Sequence, residues 1–520
     1  MRKKWFSLLL AGVLSISVLS GCNGNENNSE TNFMTNEEYL AEYTYKNKST
    51  TLMRVGDPQV FYDKDSKKYY ATGTLDGATF KIWSSDDLTT WSTGKTILSA
   101  GQVKWGDFSP ESGKAGLWGA EIHKRNGKYY LYFSMWANKQ YNPKEPINIG
   151  VATSDTVDGL YTPTEKPVFD FDAYTIDNNL FTDTDGKNYM LFVRDVSTNI
   201  IDEEQDIRES HIYISEMNDD LLSIKAKSFE EATLLARPEQ AWEMQTGNWR
   251  WNEGCFLKKI GDTYYLFYSG NFYGDGADGE PSKYAIGYAT SKNVLGPYVK
   301  YEGNPIIQTY SPNLRGPGNN SIFESPDGKE MFTAYHMMDS TRFVAIDRIG
   351  IREDGSVYLS GPNMAEQPIP SGTKSGHTLL SDKAKVTVSS NAEGSKASYI
   401  NDGEIVVVPK YNKYTWLSET NPQKVMEQYV ILDFGKEVTV NSIYIWNSLI
   451  VGTKANKVNI EFSDGTKIEK VKLTDYYGGA AIVNINGKKT TSIKITVAEK
   501  GFGVGGQQAF GLSEVKVYGK

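Results

Sequence analysis

The sequence predicts an all-β fold, a five-bladed β-propeller followed by a β-sandwich, on three observations. Its 520 residues exceed one ordinary core, and they include 33 Tyr, 21 Phe, 11 Trp and 48 Gly but only 2 Cys. Such usage favours many short strands joined by turns, without a disulfide framework. A strand–turn–strand pattern recurs five times, and beyond Arg352 the chain has no Arg although Lys stays plentiful. Charge adds an exclusion. With 55 Lys+Arg against 64 Asp+Glu the net charge is −9, so there is no cation excess to displace phosphate counterions, and no nucleic acid is expected as a partner.

Taken in order, residues 1–21 read as an export signal. Arg2, Lys3 and Lys4 precede the apolar run from Leu8 to Leu19, which is too short for a permanent membrane span. The run ends in Leu19-Ser20-Gly21-Cys22, a lipobox-like sequence in which Cys22 becomes the lipidated first residue. The expected location is therefore the outer side of a bacterial cell membrane, held by a lipid anchor alone. Residues 22–49 begin with the polar run NGNENNSETN and read as a tether and N-terminal segment. The remaining thiol, Cys255, reads as a small buried apolar residue.

The repeat occupies residues 50–362. It appears as SKKYYATGT, NGKYYLYFS, DGKNYMLFV, GDTYYLFYS and DGKEMFTAY, about 60 to 75 residues apart, and each copy follows another apolar strand. Asp-Gly, Asn-Gly and Gly-Asp turns between short strands indicate antiparallel meanders. Runs such as YYLYFS suit strands covered on both faces, and radial repetition leaves few open sheet edges. Residues 363–383, rich in Gly, Pro and Ser, read as a linker, and 384–520 as a sandwich built from segments such as YVILDFG, SIYIWNS and KVNIEFSDG.

Three carboxylates stand out because propeller geometry brings the starts of the inner strands to one mouth. Asp57 opens blade one, Asp177 blade three and Glu253 blade four, each expected just before its first strand. Gathering carboxylates costs free energy unless they have a task. Cleaving a glycosidic bond needs a protonated acid at the leaving oxygen and a carboxylate that activates water, and a third negative charge keeps the acid protonated. Glu253, just after Trp249 and Trp251, suits the acid; Asp57 would be the base and Asp177 the pKa modulator. Substrate-contact candidates at the same blade ends are Trp118, Glu121, Trp249, Trp251 and Arg315.

At these positions the chain resembles glycoside hydrolase family 43, over residues 50 to about 362. Gly56-Asp57-Pro58 resembles the family's base motif, Ile176-Asp177 its modulating carboxylate and Glu253-Gly254 its general-acid motif. Trp118-Gly119-Ala120-Glu121 resembles the segment opening blade two, and Gly316 to Ser321 with Tyr335-His336 the fifth-blade elements. Three positions depart from the pattern: Cys255 stands where Pro is usual, Asn319 where His is usual, and Trp-Gly-Ala replaces Trp-Ala-Pro. The resemblance implies an inverting hydrolase of arabinose-, xylose- or galactose-containing glycans, with no required cofactor. It also allows calcium or another ion in the channel, held through water by His336; a satisfied core histidine is the other reading.

The C-terminal segment resembles the discoidin, or factor 5/8 C-type, module through Asn401-Asp402-Gly403, Trp416-Leu417-Ser418, Leu432-Asp433-Phe434-Gly435 and Leu512-Ser513-Glu514-Val515. The resemblance implies a β-sandwich of galactose-binding-like jelly-roll type, a module that binds carbohydrate or serves structurally. The expectation for the whole chain is a surface-anchored α-L-arabinofuranosidase or β-xylosidase that trims plant-type polysaccharides. The alternatives are an exo-galactosidase or galactofuranosidase, and a non-catalytic glycan-binding lipoprotein.

Overall fold

A computed structural model describes residues 34–47, 53–109, 114, 116–407, 413–501 and 506–520. The signal-like segment, Cys22 and the polar run after it lie outside those residues.

Five four-stranded antiparallel sheets follow one another. Their inner strands are Gly56–Asp63, Trp118–Arg125, Thr175–Thr182, Asn252–Ile260 and Arg315–Glu324. Each inner strand packs on the next, and the fifth packs on the first, closing a five-bladed ring. At the closure Val60 N–H donates to Ser321 Oγ at 3.1 Å, and that hydroxyl donates to Pro58 O at 3.1 Å.

The Tyr-rich repeat explains the ring. In Lys128–Trp136, Tyr130 and Tyr132 face blade three with Met190 and Phe192, whereas Tyr129, Leu131 and Phe133 face blade one with Phe80 and Ile82. Strand alternation thus places successive aromatics in two different cores, one on each face of the blade. Every neighbouring pair of blades shares such a core, including blades five and one through Phe332, Ala334, Val60 and Tyr69.

Blade five ends at Leu359, and one eight-stranded antiparallel sheet begins at Thr378. Its longest strands, Tyr429–Asn447 and Ala480–Lys500, pair with each other, and Trp416, Ile443, Val458, Ile493, Phe510 and Val515 belong to a core of its own.

The N-terminal segment within 22–49 and the linker at 363–383 both pack against the folded body. Within 22–49, Thr35 caps the helix Asn36–Tyr43 in a reciprocal box with Glu38. The helix docks through the Tyr39 hydroxyl, which donates to Ser442 Oγ at 2.6 Å, and Thr44–Tyr45 pairs with Gln367–Pro368. Within 363–383, Gln367 and His377 are buried. Arg348 of blade five donates to Pro368 O at 2.9 Å and ion-pairs Glu330 at 2.8 Å. Lys516 and Tyr518 of the last strand also reach Glu330. Gly and Pro here fix turns in a packed seam.

Candidate active site

All five inner strands carry a register shift near their start. The residue at each shift adopts positive φ: Asp57 48°, Gly119 64°, Asp177 53°, Gly254 58° and Asn319 49°. Gly, Asp and Asn are the residues that tolerate this region best. The bulges turn main-chain N–H groups toward the preceding blade, where acceptors on the second strands wait. Thr74 Oγ1 takes the Gly119 N–H at 3.0 Å, Ser134 Oγ that of Asp177 at 3.2 Å and Ser269 Oγ that of Asn319 at 2.8 Å. His336 Nδ1 takes the Asp57 N–H at 3.2 Å.

Blade three breaks the series. Opposite Ile176 stands Val193, which has no acceptor. The Gly254 N–H goes instead to Asp177 Oδ2 at 2.7 Å. Asp57 and Asp177 therefore occupy equivalent bulge positions, while Glu253 lies one residue earlier. All three belong to the strands themselves, not to the loops before them, because the bulge aims side chains into the mouth without ending the pairing.

The three carboxylates have opposite electrostatic surroundings. Burial acts to raise Asp57, but Arg342 Nη1 lies 3.1 Å from both its oxygens and Thr74 Oγ1 donates at 2.6 Å, so its pKa falls below the ordinary value. Arg342 reaches this position because Gly56 has no side chain; a Cβ there would overlap the guanidinium. Glu253 has no cation. Burial and the charges of Asp177 and Asp195 push it well up, although the Tyr284 hydroxyl donates to Oε1 at 2.9 Å. Tyr284 in turn lies where a Cβ on Gly318 would be. Asp177 is pushed up to about 7 by burial and by Asp57, against the pull of the Gly254 N–H. The site thus holds one carboxylate as an anion and a carboxyl pair that retains a proton.

His336 is buried, and burial pushes its pKa down to about 3. The neutral ring accepts at Nδ1, so its proton sits on Nε2, which has no protein partner among the described residues. Both amide atoms of Asn178 and Asn320 Oδ1 are also buried without protein partners. Asn178 and Asn320, with Gln59, line a space of about 10 Å³ beneath the carboxylates, room for about one water. A ring N–H cannot ligate a cation, and no cluster of His, Cys, Asp and Glu suited to a metal occurs among the described residues. The residues fit a bound water, the intermediary through which the sequence expectation has His336 hold an ion.

Above the carboxylates opens a pocket of about 400 Å³. One wall is a run of aromatic rings: Trp249 to Trp251 at 6.4 Å, Trp251 to Phe272 at 5.4 Å and Phe272 to Tyr273 at 4.8 Å. Arg342 lies 5.4 Å over Tyr273, and Trp118 and Asp195 also line the pocket. Trp118, Trp249 and Trp251 are thus where the sequence placed them. Two other candidates are not. Glu121 accepts from Asn179 Nδ2 at 3.1 Å and contacts His123 Nε2 at 2.9 Å, so it ties blade two to blade three below the mouth. Arg315 is spent on Asp275, at 2.7 and 2.9 Å, and on the carbonyls of Pro312 and Asp339. Phe272, Tyr273, Tyr284 and Arg342 belong to no sequence motif. They sit late in blades four and five, outside the motif-bearing strand starts; an Arg at the head of the third strand of blade five was the available signal.

Comparison with known proteins gives the family of the propeller. A family model described as glycosyl hydrolases family 43 matches residues 35–357. The chain belongs to glycosyl hydrolase family 43. A second model, a domain of unknown function (DUF7402), matches residues 380–518. Among relatives of this family 43 chain, Beta-D-galactofuranosidase xynD of Aspergillus niger is 27% identical over 299 residues, 54% of this chain and 73% of that one. Extracellular endo-alpha-(1->5)-L-arabinanase 1 of Bacillus subtilis is 23% identical over 274 residues, 50% and 74% of the two chains. Of solved structures, a thermostable family-43 glycoside hydrolase is 35% identical with TM-score 0.55, covering 63% of this chain and 99% of its own.

Proposed function

We propose that this family 43 protein is an inverting glycosidase that removes arabinofuranosyl or xylosyl residues from plant-type polysaccharides or oligosaccharides. The observation that carries the reading is the contrast between Asp57, held as an anion by Arg342, and Glu253, kept protonated by burial and Asp177. Glycoside hydrolysis requires that division of labour between an anion and a proton donor, and inversion is what the family resemblance implies. Asp57 draws a proton from water as its oxygen attacks the anomeric carbon, and Glu253 gives its proton to the departing glycosidic oxygen. Asp177 holds the Glu253 strand through Gly254 and keeps the acid's proton on. The aromatic run supplies faces for the C–H surfaces of sugar rings.

Similarity to a β-D-galactofuranosidase supports a second reading, a galactofuranosyl glycone in the same pocket. A non-catalytic glycan binder is disfavoured, since it has no use for a buried proton-sharing pair. We further propose that Cys22 carries a lipid anchor and that the C-terminal sheet is a discoidin-like sandwich supporting the propeller or holding glycan.

Release of sugar from aryl arabinofuranosides, xylosides, galactosides and galactofuranosides, by wild type and Glu253→Gln, tests the function. Turnover on one glycone, strongly reduced in the variant when the leaving group is a weakly acidic phenol that needs protonation, names the glycone. Binding of polysaccharide by wild type with no turnover on any glycone would overturn the hydrolase reading.

A further inference from the structure

A fourth carboxylate, Asp195, lines the pocket; its charge helps push Glu253 up, and the hydrolysis proposed above gives it no contact with the reacting atoms. Asp195 ends the second strand of blade three and caps the short 3-10 turn Val196–Thr198, its Oδ1 accepting the Ser197 N–H at 2.9 Å. It is 9% exposed, and what surface it keeps faces the pocket it lines with Val196, Ser197, Trp118 and Glu253. Among the described residues it enters no ion pair, and the groups that stabilise its anion lie on its own loop, at Ser197 and Val196. Its neighbour Arg194 turns away, donating to Thr198 O and lying 4.7 Å over Phe229.

This arrangement is uneconomical for a cap. Ser or Asn would satisfy the same N–H without burying a charge beside Asp177 and Glu253. A carboxylate offers about four acceptor sites, and its own turn uses those nearest the main chain. The rest open onto space that a substrate fills. Asp57 is occupied by Arg342 and Thr74, Asp177 by the Gly254 N–H and Glu253 by Tyr284. Asp195 is the remaining pocket carboxylate, and hydroxyl groups are the donors that a sugar brings. Accepting a hydroxyl would also return to Asp195 the solvation that burial removes.

We propose that Asp195 is a specificity-determining residue that accepts a hydrogen bond from one hydroxyl of the bound glycone, so that the pocket selects a sugar with a free hydroxyl at that position. The inference rests on the hydrolase reading above and deepens it. A site built to receive a hydroxyl rejects an analogue lacking it much more strongly than an apolar wall would.

The experiment crosses enzyme variants with monodeoxy versions of the aryl glycoside on which the wild type turns over. Asp195→Asn keeps an oxygen for the Ser197 N–H while presenting an amide N–H to the pocket. Asp195→Ser keeps a cap and withdraws the reach. In wild type, one monodeoxy substrate should lose about tenfold to a hundredfold in kcat/KM relative to the parent. Both variants should lose a similar factor on the parent yet show no further loss on that deoxy substrate. Unchanged deoxy penalties in both variants would overturn the role of Asp195 and leave the hydrolase reading intact. Absence of turnover by wild type on every parent glycoside would overturn the hydrolase reading and the inference with it. Thermal unfolding of both variants at the wild-type temperature would show that the turn survives; a loss of kcat/KM that is equal on all substrates, with lowered unfolding temperature, would assign Asp195 to the fold.

Discussion

Asp177 reaches out of its own blade: its Oδ2 accepts the Gly254 N–H at 2.7 Å, and its main-chain carbonyl takes the Cys255 thiol at 3.4 Å. The strand carrying Glu253 is thus hung from a carboxylate that also repels the Glu253 anion. One residue sets both where the acid stands and how firmly it holds its proton.

Replacing Asp177 by Asn separates those roles, since an amide oxygen still accepts the Gly254 N–H. Removing the charge lowers the pKa of Glu253, so the acid loses its proton at lower pH. The basic limb of the kcat/KM profile should move down by about one unit or more. A basic limb that stays in place would show that Asp177 does not tune the acid.

Arg342 acts on the other limb. Its guanidinium holds Asp57 below the ordinary carboxylate range while burial pulls the other way. In Arg342→Gln the burial penalty remains and the cation is gone, so Asp57 protonates at higher pH. The acid limb should rise by about one unit or more, alongside a lower rate at the optimum. A profile that merely scales down, with both limbs fixed, contradicts this.

Two glycines make room for the site, and their neighbours differ in stiffness. A methyl group on Gly56 meets the end of the flexible Arg342 side chain, whereas one on Gly318 meets the ring of buried Tyr284. Gly318→Ala should cost about 1–3 kcal/mol of stability as well as activity. Gly56→Ala should spare the unfolding temperature and lower kcat/KM by about tenfold or more through Asp57. Denaturant titration and kinetics on both variants check the contrast; equal stability losses would refute it.

His336 makes the fold sensitive to acid. Its pKa is about 3 in the fold against about 6.5 when unfolded. The unfolded chain therefore binds the proton between those values, and the contribution of His336 to stability is lost as pH falls from about 6.5 toward 3. His336→Gln leaves an acceptor for the Asp57 N–H and removes the titration. Its stability should fall less steeply than that of wild type between pH 7 and 4.5, measured by urea denaturation; parallel curves would contradict the assignment.

Much of the ring was legible because five copies of a Tyr-rich strand suited to cover on both faces call for radial repetition. Asp57, Asp177 and Glu253 were legible as charges where strands should begin. The one-residue offset of Glu253 was not, since it depends on Gly254 taking the positive-φ bulge position in its blade, a matter of register in the folded sheet. Arg315 and Arg342 illustrate the same limit. Both begin strands of blade five, but Asp275 captures the first and the bare Gly56 admits the second, and neither contact has a local signature. The folded seam at 363–383 was misread because Gly and Pro serve packed turns as well as open connectors. The T-x-x-E box at Thr35 was a readable helix start that the polar composition around it concealed.

Leaving-group dependence tests the assignment of acid and base most directly. Aryl glycosides of the preferred sugar, spanning leaving-group pKa from dinitrophenol to phenol, would be hydrolysed by Glu253→Gln and Asp57→Asn. Glu253→Gln should keep most of its rate with the dinitrophenyl group, which departs without protonation, and lose progressively more as the leaving group becomes more basic. Asp57→Asn should lose a similar large factor throughout. Equal losses across the series in Glu253→Gln, or a spared dinitrophenyl substrate in Asp57→Asn, would contradict the roles given to these two carboxylates.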